Sequence, residues 1–528
     1  MRNFQQPGRS EVMSTGAMVS TSHGLATATA LDVLRSGGNA FDAAIAAAAM
    51  LAVVEPTQTG IGGDCFVLFK RKGQPVQALN GAGWAPKAAS LESFQQRNLA
   101  HIDPYSADSI TIPGAVGAWE KLSQDQGNLA FSRLLQPAIR AAENGYPVTE
   151  RLARDWLLRK GKLTHCQNFM STFYPDGESP EPGDLHKQPL LANSLRSIAE
   201  EGSKAFYNGW IADDMLQTLQ KLGGLHEASD FAEYKPEYVQ PISASYRGYQ
   251  LWECPPSGQG IVALAMAKIL ENYNLSELDP LGAQRIHLQA EASRIAYAER
   301  DLFLCDPVHH PVPIEYLLSD ERAKTLASQL QLNSRIEDLD SLEHPCHADT
   351  VYLTVVDEEG TAVSFINSIF DDFGSAIMAE KSGIIFHNRG SGFSLKSGHP
   401  NCVAGRKKPL HTIIPAMLTK DDEVVLSYGV TGGHYQPMGQ VHILTNIVDY
   451  GMSLQEAIDF PRFFARDNLF EVENTIPEDT IRVLKDIGHN VTVAQNPLGT
   501  AQAIWIDQVS KVLRGAADPR RDGCALGY

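Results

Sequence analysis

The chain has 528 residues, with 44 Lys and Arg against 62 Asp and Glu, a formal net charge of −18. That balance argues against a nucleic-acid or anionic-membrane partner, either of which calls for a basic face. It leaves room for an anionic small molecule, because local charge decides such binding. Hydrophobic residues make up 43% and charged residues 20%, the composition of a globular protein long enough to bury a large core.

The N-terminal stretch MRNFQQPGRSEVMSTGAM lacks an apolar segment of secretion-signal length, which predicts a cytoplasmic protein. SHGLATATALDVLRSGG (22–38) predicts an amphipathic helix closed by Gly37 and Gly38. The most apolar run, AFDAAIAAAAMLAVVEP (40–56), carries Asp42, is too short to span a bilayer and stops at a proline. It predicts a buried helix rather than a membrane span. A glycine-rich loop containing TGIGGDCF (59–66) then feeds a hairpin. Residues 115–345 read as mostly helical, and GAQRIHLQAEASRIAYAERDLFLCDP ends at Asp306-Pro307, a natural stop. The seven cysteines, at 65, 166, 254, 305, 346, 402 and 524, are scattered without a C-x-x-C pair. They predict free thiols in a reducing compartment and no metal site. Cys346 has no base beside it in sequence and is not expected to be a nucleophile.

At residue 350 the character changes. In HADTVYLTVVDEEGTAVSF (347–365) Val351, Leu353 and Val355 alternate with Tyr352, Thr354 and Val356, DEEG turns, and AVSF starts the return strand. SGIIFHN and PAMLTKDDEVVLSYGV predict further strands, followed by helices over MGQVHILTNIVDYG and SLQEAIDFPRFF. Helical spacing returns at 480–488, and a terminal hairpin is expected from NVTVAQNP to GTAQAIWIDQVSKVLRGAADPR. Strands and helices fall on both sides of 349/350, which suggests one interleaved α+β domain made of two pieces, 1–349 and 350–528.

An ordinary strand needs nothing special at its first residue, and Thr350 could simply be a strand former. A threonine hydroxyl becomes a useful nucleophile when a base takes its proton. A free α-amine on the same residue can be that base, with an ordinary pKa near about 8. That amine exists only once the 349–350 peptide bond is broken. The Thr350 hydroxyl can break it by attacking the Asp349 carbonyl, forming an ester that water opens.

TGIGGDCF, LLQPAIRAAENGYPV (134–148), YGVTGGHYQPMGQ (428–440) and VDYGMSLQEAIDFPRF (448–463), with the Thr350 hairpin in register between them, closely resemble the γ-glutamyltranspeptidase family of N-terminal-nucleophile hydrolases. The resemblance runs in colinear order from about residue 16 to the C-terminus. It implies an αββα sandwich, self-cleavage into a large and a small subunit that stay together as a heterodimer, and amide chemistry through an acyl-enzyme ester without metal or organic cofactor. A dimer of these pairs is left open. By the resemblance Thr350 is the nucleophile and Asp349-Thr350 the cleavage site. Ser368 stands where the family has a second threonine touching the nucleophile, and Gly432 and Gly433 match the oxyanion-hole glycines.

The chain departs from the family where a glutamyl group is clamped. Ala82 stands in place of an arginine, Phe370 of an asparagine, Gly392 of an aspartate, and His411-Thr412 of a serine pair. Losing such charge-assisted bonds costs roughly 1.5–3 kcal/mol each, so γ-glutamyl transfer is not the leading expectation. Arg389, at a pocket-lining glutamine of the family, is a bidentate donor suited to a carboxylate. His411, Thr412, His434 and Tyr435 can add donors, while Phe370 and Trp84 would make the pocket smaller and less polar. NGAGWAP, FDDFGSAI and HNRGSGFSL look like the family branch that hydrolyses oxamate to oxalate and ammonia in purine catabolism. The alternatives are a γ-glutamyltransferase or glutathione hydrolase, a cephalosporin or glutaryl acylase, and an uncleaved, silent relative.

Overall fold

The computed structural model describes residues 8–162, 166–337, 339, 350–466 and 468–528. Asp349 and Cys346 lie outside the described residues. Alternating strands assemble into two seven-stranded antiparallel sheets. Across the first sheet the order is Val12–Ser14, Leu513–Ala517, Ala501–Ile506, Glu423–Val430, Ala416–Lys420, Tyr249–Glu253 and Ile242–Tyr246. Across the second it is Cys524–Gly527, Met18–Thr21, Val351–Val356, Ala362–Ser368, Asp64–Lys70, Gln77–Gly81 and Glu237–Val239. Each sheet therefore mixes strands from before and after residue 350.

Period-two alternation gives the second sheet two apolar faces. Phe66, Leu68, Tyr352 and Ile366 meet Ile413, Met417 and Ile504 between the sheets. Val67, Phe69, Leu353, Val355 and Phe365 face outward onto a helical layer containing Gly24–Arg35 and Ala40–Val54. On the other side Leu251, Leu418 and Leu426 of the first sheet pack against Gly260–Leu270, Ala283–Phe303 and Gln436–Val448. The result is an αββα sandwich. All fifteen residues of Ala40–Val54 are buried, Asp42 included, because Asp42 closes a capping box. Its carboxylate accepts from Asn39 N at 3.0 Å and from Asn128 N at 2.9 Å. Among the described residues no helix is long and apolar enough to cross a membrane.

Three local expectations change. The largely helical middle also supplies the edge strands Glu237–Val239 and Ile242–Tyr246 and, next to the latter, Tyr249–Glu253. SGIIFHN is not a strand. Ile385 makes one isolated bridge to Met378, and the chain leading to it coils through left-handed Phe370, Phe373 and Ala376, so the segment bonds to turns instead. The expected terminal hairpin splits: Ala501–Ile506 pairs with Leu513–Ala517, whereas Val491–Val493 joins Leu469–Val472 in a small separate sheet, in parallel.

Candidate active site

Register builds the floor of the site. Ser368 pairs with Asp64, and Val351 pairs with Asn367, so Thr350, Ser368 and Asp64 stand side by side on three adjacent strands. They share the inward face with Tyr352, Ile366 and Phe66, two residues further along. Thr350 Oγ1 and Ser368 Oγ are 3.1 Å apart, and Gln436 Nε2 donates to Thr350 Oγ1 at 3.4 Å. Phe370 N donates to Ser368 Oγ at 2.9 Å. Gly63 has to be glycine here, since a Cβ would lie 2.2 Å from the Ser368 carbonyl oxygen. Thr350 is only 1% exposed.

Arg389 reaches the same hydroxyl from above. Its Nη2 donates to Ser368 Oγ at 3.3 Å and its Nη1 to Thr412 Oγ1 at 2.6 Å. The guanidinium lies 4.1 Å from the centre of the Phe370 ring, a cation–π contact. Phe370 adopts φ 78°, a strained value for a bulky residue, and the strained backbone presents the ring to the guanidinium. Arg389 is fully buried, and that burial pulls its pKa down to about 10. It is an interior side chain, not a surface arginine.

His411 Nε2 donates to Asp64 Oδ2 at 3.0 Å, and His387 Nδ1 lies 3.2 Å from the same oxygen. Burial, helped by the Arg389 charge, pushes the His411 pKa to about 3, so the ring is neutral. Burial alone would raise the Asp64 pKa, but His387 and His411 outweigh it and hold the carboxyl well below the usual range.

The wall opposite Thr350 comes from the end of Glu423–Val430. Gly432 takes φ 105° and Gly433 φ 56°, left-handed values that favour glycine. The chain then turns into the helix Gln436–Val448. Gln259 Nε2 donates to the carbonyls of Thr412 at 2.8 Å and Gly433 at 2.9 Å, tying the two loops together. Arg300 Nη1 donates to Gln259 Oε1 at 3.0 Å and to His434 Nδ1 at 2.9 Å, and the Tyr297 hydroxyl donates to the His434 carbonyl. The His434 and Phe370 ring centres are 6.4 Å apart.

Thr350, Ser368, Arg389, His411 and Thr412 thus form one connected cluster, with Gly432, Gly433 and His434 on the loop that Gln259 ties to it. Trp84 packs on Tyr234 and Arg406. The sequence reading did not single out Asp64, His387, Gln259, Arg300 or Gln436. Asp64 sits inside the GIGGD loop and His387 two residues before Arg389, and those positions were the available signals.

The gamma-glutamyltranspeptidase family profile matches residues 26–528. A glutathione hydrolase-like YwrD proenzyme of Bacillus subtilis is 37% identical over 98% of this chain and 99% of its own length. An oxamate amidohydrolase proenzyme of Klebsiella pneumoniae is 35% identical over 98% of this chain and 99% of its own length. A crystal structure of cephalosporin acylase from Bacillus halodurans superimposes with a TM-score of 0.93 at 37% identity, covering 100% of this chain and 99% of that one. The chain belongs to the γ-glutamyltranspeptidase family and is an N-terminal-nucleophile hydrolase acting on amide bonds.

Proposed function

We propose that the chain cuts itself between Asp349 and Thr350, and that the new N-terminal threonine hydrolyses a small amide with a carboxylate beside the scissile carbonyl, namely oxamate to oxalate and ammonia. The supporting observation is the shared hydroxyl. Thr350 Oγ1 and Arg389 Nη2 both lie within bonding distance of Ser368 Oγ, so nucleophile and guanidinium are no more than two hydrogen-bond lengths apart. In oxamate the carboxylate is bonded directly to the amide carbon and fits that span. In a γ-glutamyl or glutaryl group three carbons intervene, and here Ala82, Phe370 and Gly392 have taken the clamp positions.

In self-cleavage Thr350 Oγ1 adds to the Asp349 carbonyl and the peptide nitrogen leaves as the α-amine. Water then opens the ester, leaving pieces 1–349 and 350–528 as a heterodimer. In turnover the amine takes the hydroxyl proton while Oγ1 attacks the amide carbon. Gly432 and Gly433 N–H groups, which donate to no acceptor among the described residues, are suited to the oxyanion. The proton passes to the departing ammonia, and water hydrolyses the oxalyl ester. Arg389 holds the carboxylate.

The relatives favour the amide class and differ in acyl group. The oxamate amidohydrolase supports the present reading, and the cephalosporin acylase supports an acylase as the second one. Ammonia release from oxamate, measured beside a γ-glutamyl-anilide and a glutaryl amide, separates them. A processed enzyme that releases no ammonia from oxamate but cleaves either of the other two would overturn the proposal.

A further inference from the structure

Asp64 ends the inward row at the site floor. It is fully buried, as are His387 and His411. Oδ1 accepts from Gly83 N at 3.2 Å, and Oδ2 accepts from His411 Nε2 at 3.0 Å with His387 Nδ1 at 3.2 Å. The far nitrogen of His387, Nε2, donates to the Thr111 carbonyl at 2.8 Å. A carboxylate bonded by Gly83 and His411, with the His387 ring packed against it, is held rigidly and fixes its neighbours in turn.

The two rings belong to the segments that hold Arg389. His387 is two residues before Arg389. His411 directly precedes Thr412, whose hydroxyl accepts from Arg389 Nη1. Ser368, the other acceptor of Arg389, is the register partner of Asp64. One carboxylate therefore ties together the strand, the turn and the loop that place the guanidinium. The partners of Arg389 are two hydroxyls and a ring face, and its Nε has none among the described residues. The carboxylates that act on the guanidinium, Asp64 and Asp371, do so through space, and its spare N–H suits it to an anion.

We propose that Asp64 is the positioning residue of Arg389, and that through His387 and His411 it sets the preference for a carboxylate-bearing amide over an uncharged one. This rests on the reading of Arg389 as the carboxylate anchor. The test compares oxamate with oxamide, its uncharged diamide, in wild type, Arg389→Ala and Asp64→Asn. Asp64→Asn is expected to raise the oxamate KM about tenfold, keep kcat within about threefold, and lower the oxamate-to-oxamide ratio of kcat/KM several-fold. Asp64→Glu, which keeps the charge but moves the carboxylate by one methylene, is expected to shift the oxamate-to-oxamide ratio the same way. An equal loss on both amides, an unchanged ratio, or failure of both variants to accumulate makes Asp64 a residue of the fold and overturns the inference. If Arg389→Ala itself keeps wild-type selectivity, it is the anchor reading that fails, whatever Asp64 does.

Discussion

Two rows of side chains lie next to each other on the same three strands and the same face. Thr350, Ser368 and Asp64 form one row. Tyr352, Ile366 and Phe66 form the next. The second row is sandwich core and meets Ile413 and, on the opposite sheet, Met417. The first row, one pleat away and just as buried, consists of two hydroxyls and a carboxylate. The site is thus the last row of the core with its apolar groups exchanged for polar ones. Burying such groups is tolerated only when each finds a partner. Ser368 meets that condition with the Phe370 N–H and Arg389, and Asp64 with the His411 imidazole and Gly83. Strand geometry delivers both rows at no extra cost, and the side chains alone decide which is chemistry and which is glue.

The comparison breaks hardest at the nucleophile. Thr350→Ala is expected to leave one uncut chain on a denatured mass measurement and to lower amidase activity by about 10⁴-fold or more. A normally processed, active variant would move the chemistry elsewhere. Next is the opposite wall. Gly432→Ala forces a side chain into φ 105°, with its Cβ 3.1 Å from Gly499 Cα. It is expected to cost about 1–3 kcal/mol in stability and to lower kcat by about 10²-fold with little change in KM. Equal kcat would remove Gly432 from the oxyanion role. Arg389→Ala is expected to raise the oxamate KM by about 10–100-fold, the size of one charge-assisted contact, with self-cleavage little affected. An unchanged KM would sink the anchor.

The core row supplies the contrast. Ile366→Ala is expected to destabilise the fold by about 2–5 kcal/mol, read by denaturant midpoint, while KM stays where it was. A large KM change would show that the two rows are not separable. The last test is of pH. Burial pushes His23, His186 and His226 to about 4 and His411 to about 3, from an ordinary 6.5. Below 6.5 the unfolded chain takes up protons that the folded chain refuses. Stability held by these rings is full above that pH and falls on acidification, by up to about 1.4 kcal/mol per unit for each ring. Asp64, with its depressed pKa, keeps its contribution through the same window and loses it only at lower pH. Tm should therefore fall from pH 7 to pH 5, and a flat Tm would contradict the buried, neutral state of these rings.

Much of this was legible because it is local. The Thr350 hairpin announces itself through six alternating residues and a DEEG turn, and the observed register pairs Val351 with Asn367 and Val356 with Ala362. The buried helix Ala40–Val54 is a plain apolar run. The Asp64 hub was not legible, because its two histidine neighbours lie more than 300 positions away and only folding brings them together. Val491–Val493 misled for a related reason: a short strand does not carry the identity of its neighbour, and a parallel partner leaves no turn in the sequence to mark it. SGIIFHN has the composition of a strand, yet Gly374 and its left-handed neighbours commit the chain to turns first.

The mixing of strands across residue 350 also bears on how the protein comes apart. Val351–Val356 is held by Met18–Thr21 on one side and Ala362–Ser368 on the other. Both sheets need both pieces, so neither piece can leave with a finished core. The proposed cut changes the molecularity of folding: the intact precursor folds as one chain, whereas recovery of the cut enzyme from denaturant requires two chains to meet. Its yield then rises with protein concentration, and thermal inactivation becomes a one-way loss at dilution. The uncut precursor, by comparison, keeps a concentration-independent route home.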